Sequence, residues 1–330
     1  MALAGQRYMP RIPYTASKFG RHWGPTLHGR HQLNITWNEL VWAAMTMGKP
    51  GVAFLLAHGW HSISDLVVRS HTVYANLSES GLFIEKSTLY SGLDPTEKSG
   101  VSYFMGMLAA KVMGHRLLDV PWFFHLSMLN TLGGTASLKG NSEPDLIGLR
   151  RNREWIVAEA KGRTWGHSKS AMDAAKKQTR QLRKINGQYP SLRVAVQASF
   201  SPKLHWAIED PEEFDDSARD LQFNVENVLG MYYSASLAAI EQGQERAIGN
   251  RKFIVRELSE IGVSIGIDRE VVARLEEKTM SQAPNAFGYG AESQMHQQEF
   301  SIFPDGLAIA LDERWSASRM SLDPWSRRNG

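Results

Sequence analysis

The chain contains no cysteine. That excludes a disulfide scaffold, a thiolate-held zinc or iron–sulfur site, and thiol catalysis, and it fits a reducing cytosol. Long apolar runs are missing too. GVAFLLA at 51–57 and VPWFFHL at 120–126 are the longest candidates, far short of the roughly 18 residues a membrane span needs. The first residues, MALAGQRYMPRIPY, hold no apolar stretch of the kind that starts a secretory signal. A phosphate-binding glycine loop is absent, because Gly48-Lys49-Pro50 lacks the spaced upstream glycine and the following hydroxyl residue. There is no internal repeat and no low-complexity tract. These absences lead us to expect a cytoplasmic chain with no membrane partner.

What is present is a large apolar content. With 330 residues, 42% of them hydrophobic, ten Trp and 13 Phe, the chain has the material for one elaborated domain or two. The net charge of +3 conceals an uneven distribution. Residues 1–149 carry 12 Lys and Arg against 9 Asp and Glu, residues 150–203 carry 13 against 3, and residues 204–330 carry 12 against 22. The middle block is therefore at +10 and the last at −10. A compact block at +10 is an electrostatic footprint for a polyanion. The acidic stretch at 209–216 marks a boundary.

Hydrophobic spacing predicts helices over 37–46, 62–77 and 97–113, the last stopped by Gly114. Two short apolar runs, 145–149 and 155–160, flank the polar stretch Arg150-Arg151-Asn152-Arg153-Glu154, which is a hairpin signal. A helix over 168–185, strands at 192–200 and 203–208, helices over 217–242 and 246–261, a strand at 263–267 and a helix capped by Asp268 are expected to follow. A hairpin turns at Pro304-Asp305-Gly306.

The chemistry concentrates in SEPDLIGLRRNREWIVAEAKGR, residues 142–163. With the turn tip at Asn152, Leu149 faces Trp155, Ile147 faces Val157 and Asp145 faces Glu159. Side chains alternate along strands, so Asp145, Glu159 and Lys161 leave one face near the open end of the hairpin. Glu143, two residues before Asp145, is placed to join them. Opposed carboxylates repel unless a positive group lies between them. A divalent cation meets that need, and hard oxygen ligands favour Mg²⁺, with Mn²⁺ as substitute. The backbone carbonyl of Ala160 is a further candidate ligand. Lys161 is placed to hold a water or to offset charge on a phosphate. This is the equipment of metal-assisted phosphodiester hydrolysis.

Pro144-Asp145 followed by Glu159-Ala160-Lys161 resembles the PD-(D/E)xK nuclease superfamily, over roughly residues 97–208. The resemblance implies a restriction-endonuclease-like α/β fold, a mixed β-sheet core flanked by helices. It implies Asp145 and Glu159 as metal ligands and Lys161 as the catalytic lysine. Two partial matches fail on context: Glu276-Glu277-Lys278 has no Pro-Asp upstream, and Pro304-Asp305 has no Glu-x-Lys downstream.

On the helix expected after the hairpin, Ala171, Ala175, Gln178, Leu182 and Ile185 form one face. Gln178 is the polar member of that face, and a buried amide must find partners. Many nucleases of the superfamily carry a Gln there, aimed at the active site, so Gln178 joins the catalytic set. The resemblance also makes Glu97, on the preceding helix, a candidate metal ligand. Arg150, Arg151, Arg153, Arg163, Lys169, Lys176, Lys177, Arg180, Arg183 and Lys184 are the expected nucleic-acid contacts.

Other signals are weaker. The pairs His28/His31 and His58/His61 lack a third ligand. Trp165 is a stacking candidate and His167 a phosphate contact, each with an ordinary surface or core role as the alternative. Residues 253–278 faintly resemble a helix-turn-helix, but the connector is long and apolar.

The sequence therefore divides into an N-terminal mainly helical region (1–96), the nuclease core (97–208) and an acidic, mostly helical C-terminal region with a terminal hairpin (209–330). The expected activity is a Mg²⁺-dependent nuclease, acting on DNA more readily than RNA, with restriction or host defence as the setting the resemblance suggests. A nucleic-acid-binding or assembly module with little catalysis, and a metal hydrolase of another substrate, are the alternatives. The charge asymmetry makes the C-terminal region an expected interaction or regulatory element, joining a homodimer or a partner protein.

Overall fold

A computed structural model describes residues 9–47, 60–130, 143–210, 214, 218–282 and 300–316. His58, one member of a histidine pair, lies outside them, as do 211–213 and 215–217 of the acidic stretch and its flank.

The chain opens with strands β1 (Arg11–Ser17) and β2 (Gly29–Asn34), then helices α1 (Trp37–Thr46) and α2 (Trp60–Asn76). A short hairpin follows, β3 (Leu77–Ser80) and β4 (Phe83–Lys86), then α3 (Thr88–Gly92) and the long α4 (Pro95–Leu118). The next stretch is β5 (Trp122–His125), α5 (Leu126–Asn130), β6 (Leu146–Leu149), β7 (Trp155–Arg163) and α6 (Lys169–Thr179). After it come β8 (Leu182–Ile185), β9 (Leu192–Ser201), β10 (Lys203–Glu209) and β11 (Arg219–Leu221). The last part holds α7 (Val225–Ile240), β12 (Gln244–Ile248), β13 (Arg251–Leu258), β14 (Val263–Asp268), α8 (Arg269–Glu277), β15 (Phe300–Ile302) and β16 (Leu307–Leu311).

The architecture is mixed α/β. Nine strands form one sheet in the order β2-β1-β4-β10-β9-β7-β6-β5, with β3 on β4 and β1 also on β10. β5, β6 and β7 run as an antiparallel meander, and β9 returns parallel to β7. α6 is the crossover between β7 and β9, as a parallel pair requires. β12-β13-β14-β16-β15 form a second, antiparallel sheet.

α4 starts as its sequence instructs. Asp94 caps it, Pro95 sits in its first turn, and Asp94 and Glu97 close a capping box. Its middle lies against β7 with backbone on backbone. A Cβ on Gly162 would fall 1.6 Å from Ser102 O, and one on Gly106 would fall 2.7 Å from the Lys161 carbonyl carbon. α6 covers the opposite face, where Met172 and Ala175 meet Ala195 and Ala207.

Several expectations change. The 1–96 region, expected as mainly helical, gives β1–β4 to the same sheet as the hairpin. The helix expected over 168–185 stops at Thr179, and 182–185 is a strand paired with β11. The helix expected over 246–261 is the β12–β13 hairpin, turned at Gly249, which takes a positive φ. Among its described residues the C-terminal region is thus built on a five-stranded sheet with α7 and α8, and with β11 paired to β8, rather than mostly helical. The expected strand at 263–267, the Asp268-capped helix and the terminal hairpin are all present. Among the described residues no helix is long and apolar enough to cross a membrane.

Candidate active site

The β6–β7 register is the one the sequence implies: Leu149 faces Trp155, Ile147 faces Val157 and Leu146 faces Ala158. One more step puts Asp145 opposite Glu159. The two are tied through the backbone, since the Asp145 amide donates to Glu159 Oε2 at 2.7 Å and the Ala160 amide donates to Asp145 Oδ2 at 3.2 Å. Lys161 Nζ forms an ion pair with Glu159 Oε1 and donates to Gln178 Oε1 at 2.6 Å. Gln178 Nε2 donates to the Glu143 carbonyl at 3.1 Å. One amide thus links α6, β7 and the segment leading into β6. Asp145, Glu159, Lys161 and Gln178 come together as expected, although the helix carrying Gln178 is shorter.

The carboxylates are held in an unfavourable state. Glu159 is 1% exposed. Burial, and then the Asp145 charge, push its pKa up to about 7 against the pull of Lys161. Burial also raises Asp145, opposed by the Ala160 amide, His125 and Lys161. Buried like charges that resist ionisation mark a place where added positive charge is strongly favoured. Lys161 supplies only one such charge.

The other acids lie elsewhere. Glu97 accepts from the Asp94 amide at 3.1 Å and closes the capping box at the start of α4. Glu143 contributes its carbonyl to Gln178, while burial raises its carboxyl and Arg219 lowers it. Its buried Oε1 has no hydrogen-bond partner among the described residues. Among the described residues no group of three or more His, Asp or Glu is arranged to hold a metal ion by itself.

Two residues not singled out from sequence stand beside the carboxylates. Tyr103 of α4 and His125 at the end of β5 share a hydrogen bond, OH to Nε2, at 3.2 Å. Burial, then Asp145 and Glu159, raise the Tyr103 phenol to about 12. Burial lowers His125 while Asp145 raises it. Both were concealed by apolar context: Tyr103 belongs to the hydrophobic spacing of its helix and His125 to the run VPWFFHL. Arg69, which donates to Asp65 at 2.7 Å, shares with them a small cavity of about 220 Å³.

The expected basic contacts separate into two groups. Arg150, Arg151, Lys169, Lys176 and Arg183 pair with Glu154, Asp119, Asp173, Glu209 and Asp220 respectively. Arg153 donates to the Gln282 carbonyl. The 150–153 turn is also at the wrong end of the hairpin, about 17 Å from Asp145 at the rise of a strand. Arg163 lies on the Lys161 face, exposed, and Lys177 is exposed on α6. Arg180 has a buried Nε without a partner, and Lys184 lies 4.7 Å from the Tyr189 ring centre.

Compared with known proteins, the chain matches no family model, no curated protein and no solved structure.

Proposed function

We propose that the chain is a metal-dependent nuclease of the PD-(D/E)xK type, cleaving phosphodiester bonds in nucleic acid, DNA ahead of RNA. The observation that carries the reading is the convergence of Asp145, Glu159 and Lys161 at the open end of one hairpin, with Gln178 holding the lysine from the next helix. The topology supports it as well. A helix, three antiparallel strands, a crossover helix and a parallel strand put α4 on one sheet face and α6 on the other. That is a mixed sheet flanked by helices, as the resemblance implies.

The donor set fits a hard divalent cation, Mg²⁺ or Mn²⁺. Two carboxylates that burial and mutual repulsion keep from ionising are the oxygen ligands such an ion stabilises. Asp145 and Glu159 would hold it, the Ala160 carbonyl being a further candidate, and when bound it supplies a more acidic water and positive charge at the phosphate. The chain's own contributions are separable from that. Lys161 carries a fixed ammonium where negative charge grows on the phosphate. Gln178 fixes the direction of that ammonium. Tyr103 and His125 form the wall beside Asp145, and Arg163 continues the Lys161 face toward the substrate strand.

Incubating the protein with supercoiled, linear and single-stranded DNA and with RNA, in Mg²⁺, Mn²⁺ or EDTA, tests this. Cleavage is expected with either metal, none with EDTA, and a rate lower by roughly 10²- to 10³-fold from Lys161→Ala. Binding without cleavage in any metal would instead favour a non-catalytic nucleic-acid module.

A further inference from the structure

A cavity of about 740 Å³ opens on the same sheet face as Lys161, over β10, β1 and β2. The strand register places it. Lys161 pairs with Gln197, Gln197 with Ala207, Ala207 with Thr15, and Thr15 with Arg30, so these side chains leave one face in one row. The next row runs Arg163, Ser199, His205. Four strand spacings separate Lys161 from Arg30, about 19 Å, or about six base steps of a duplex axis.

The lining is basic in character. His205 Nε2 shares a hydrogen bond with Thr15 Oγ1 at 3.2 Å. Burial lowers the His205 pKa, and so do the nearby His167 and Arg30. All three groups line the cavity. Arg30 has no carboxylate partner among the described residues. The carboxylate in the lining, Glu209, is already paired with Lys18 at 3.3 Å and with Lys176. His31 is a wall, its Nε2 bonded to the His28 carbonyl at 2.8 Å and its ring 5.3 Å from that of Tyr14. A concave site where an arginine and two imidazoles converge, and whose one lining carboxylate is already paired, suits an anion.

We propose that this groove binds a phosphate group, with Arg30, His167 and His205 as its ligands and Thr15 fixing the His205 ring. The expected carrier is the backbone of the polynucleotide whose scissile bond lies at Lys161; this choice of carrier rests on the nuclease reading, while the anion site does not. The groove would then set how much nucleic acid the protein spans.

Histidine ring NMR signals of the full chain in EDTA test it, with His167→Gln and His205→Gln identifying the two resonances. Inorganic pyrophosphate is the first probe, and a duplex long enough to reach from Lys161 to Arg30 is the second. Both probes are expected to move both signals, and Arg30→Ala should weaken each response about tenfold, the loss of one charge-assisted contact. Arg30→Lys should recover part of it. Signals unmoved by pyrophosphate overturn the site. A response to pyrophosphate but not to the duplex overturns the polynucleotide as carrier. Plasmid cleavage by the same preparation in Mg²⁺ is measured alongside. A chain whose histidines respond but which cuts nothing keeps the anion site and loses the nuclease reading.

Discussion

Lys161 is the residue on which the chemistry and the fold can be told apart. Its ammonium contacts one carboxylate and one amide, and its side chain is 27% exposed. Lys161→Ala should therefore lower cleavage by roughly 10²- to 10³-fold, with a small melting shift below about pH 7, where Glu159 can take up a proton in place of the lost partner. A variant cutting at the wild-type rate would remove the lysine from the mechanism. Glu159 makes a different prediction, about pH. Its folded pKa is raised to about 7, so the folded protein holds a proton that the unfolded chain gives up earlier. Its contribution to stability is complete below the ordinary glutamate pKa and is lost as pH rises through about 7. In EDTA the melting temperature should fall across that window, and Glu159→Gln should flatten the fall. Adding Mg²⁺ should reverse it, because the cation favours the ionised pair. A wild-type melting curve flat in pH without metal would contradict the burial argument. Gln178→Ala separates position from structure in the same way: a rate loss larger than its melting shift is expected, since the amide aims Lys161.

At the scale of elements, the α4 backbone lies directly against β7 beside the site. Gly162 lies two residues before Thr164, whose hydroxyl meets Ser102 at 3.1 Å, and its α-hydrogens face the α4 backbone. Gly162→Ala cannot be accommodated by moving a side chain, because the obstacle is the Ser102 carbonyl. Overpacking of this kind costs roughly 1–3 kcal/mol or more, and it should displace α4 and Tyr103 with it. A lower urea midpoint together with lost cleavage is the expected result; a neutral variant would show the helix free to shift. The hairpin bearing the carboxylates was legible in the sequence because strand period, turn residues and charge placement agreed at 145–161. The misread elements are those where two periods compete. Leu182 and Ile185 suit a helical stripe, yet Asn186 and Gly187, both at positive φ, turn the chain after a four-residue strand. Phe253 and Val255 alternate as strand residues do, and Gly249-Asn250 before them was the turn signal that decides it. Tyr103 and His125 were not legible at all, since only the packing of α4 on the sheet brings them to Asp145.

For the whole molecule, the charge asymmetry reads differently once the chain is folded. Much of the basic block is neutralised by acids close at hand, and the C-terminal region is built into the core. α1 and the C-terminal hairpin meet through Trp42, which stacks on Phe303 at 4.6 Å and donates to Asp305 at 2.8 Å. Tyr232 of α7 donates to the same carboxylate at 2.5 Å and accepts from Lys111 of α4 at 2.7 Å. Tyr233 donates to the Asp305 carbonyl and accepts from Trp122 of β5 at 2.8 Å. All of these groups are buried, and burial drives Lys111 down to about 7 and Asp305 up. Such a network is stable only while every member is satisfied. A chain ending near Ile208 would lack Asp305, Tyr232, Tyr233 and Phe303, leaving the N–H groups of Trp42 and Trp122 without partners and Lys111 with the Pro121 carbonyl alone. The truncated chain is therefore expected not to fold, so it cannot be used to ask whether the acidic region regulates DNA binding. Asp305→Ala is the milder form of the same experiment. It leaves the buried Trp42 and Tyr232 donors without their shared acceptor, at about 1–3 kcal/mol for each unsatisfied group, so a large drop in the urea midpoint is expected. If the chain truncated near Ile208 unfolds cooperatively and keeps its tertiary circular dichroism, the C-terminal region is an appendage after all.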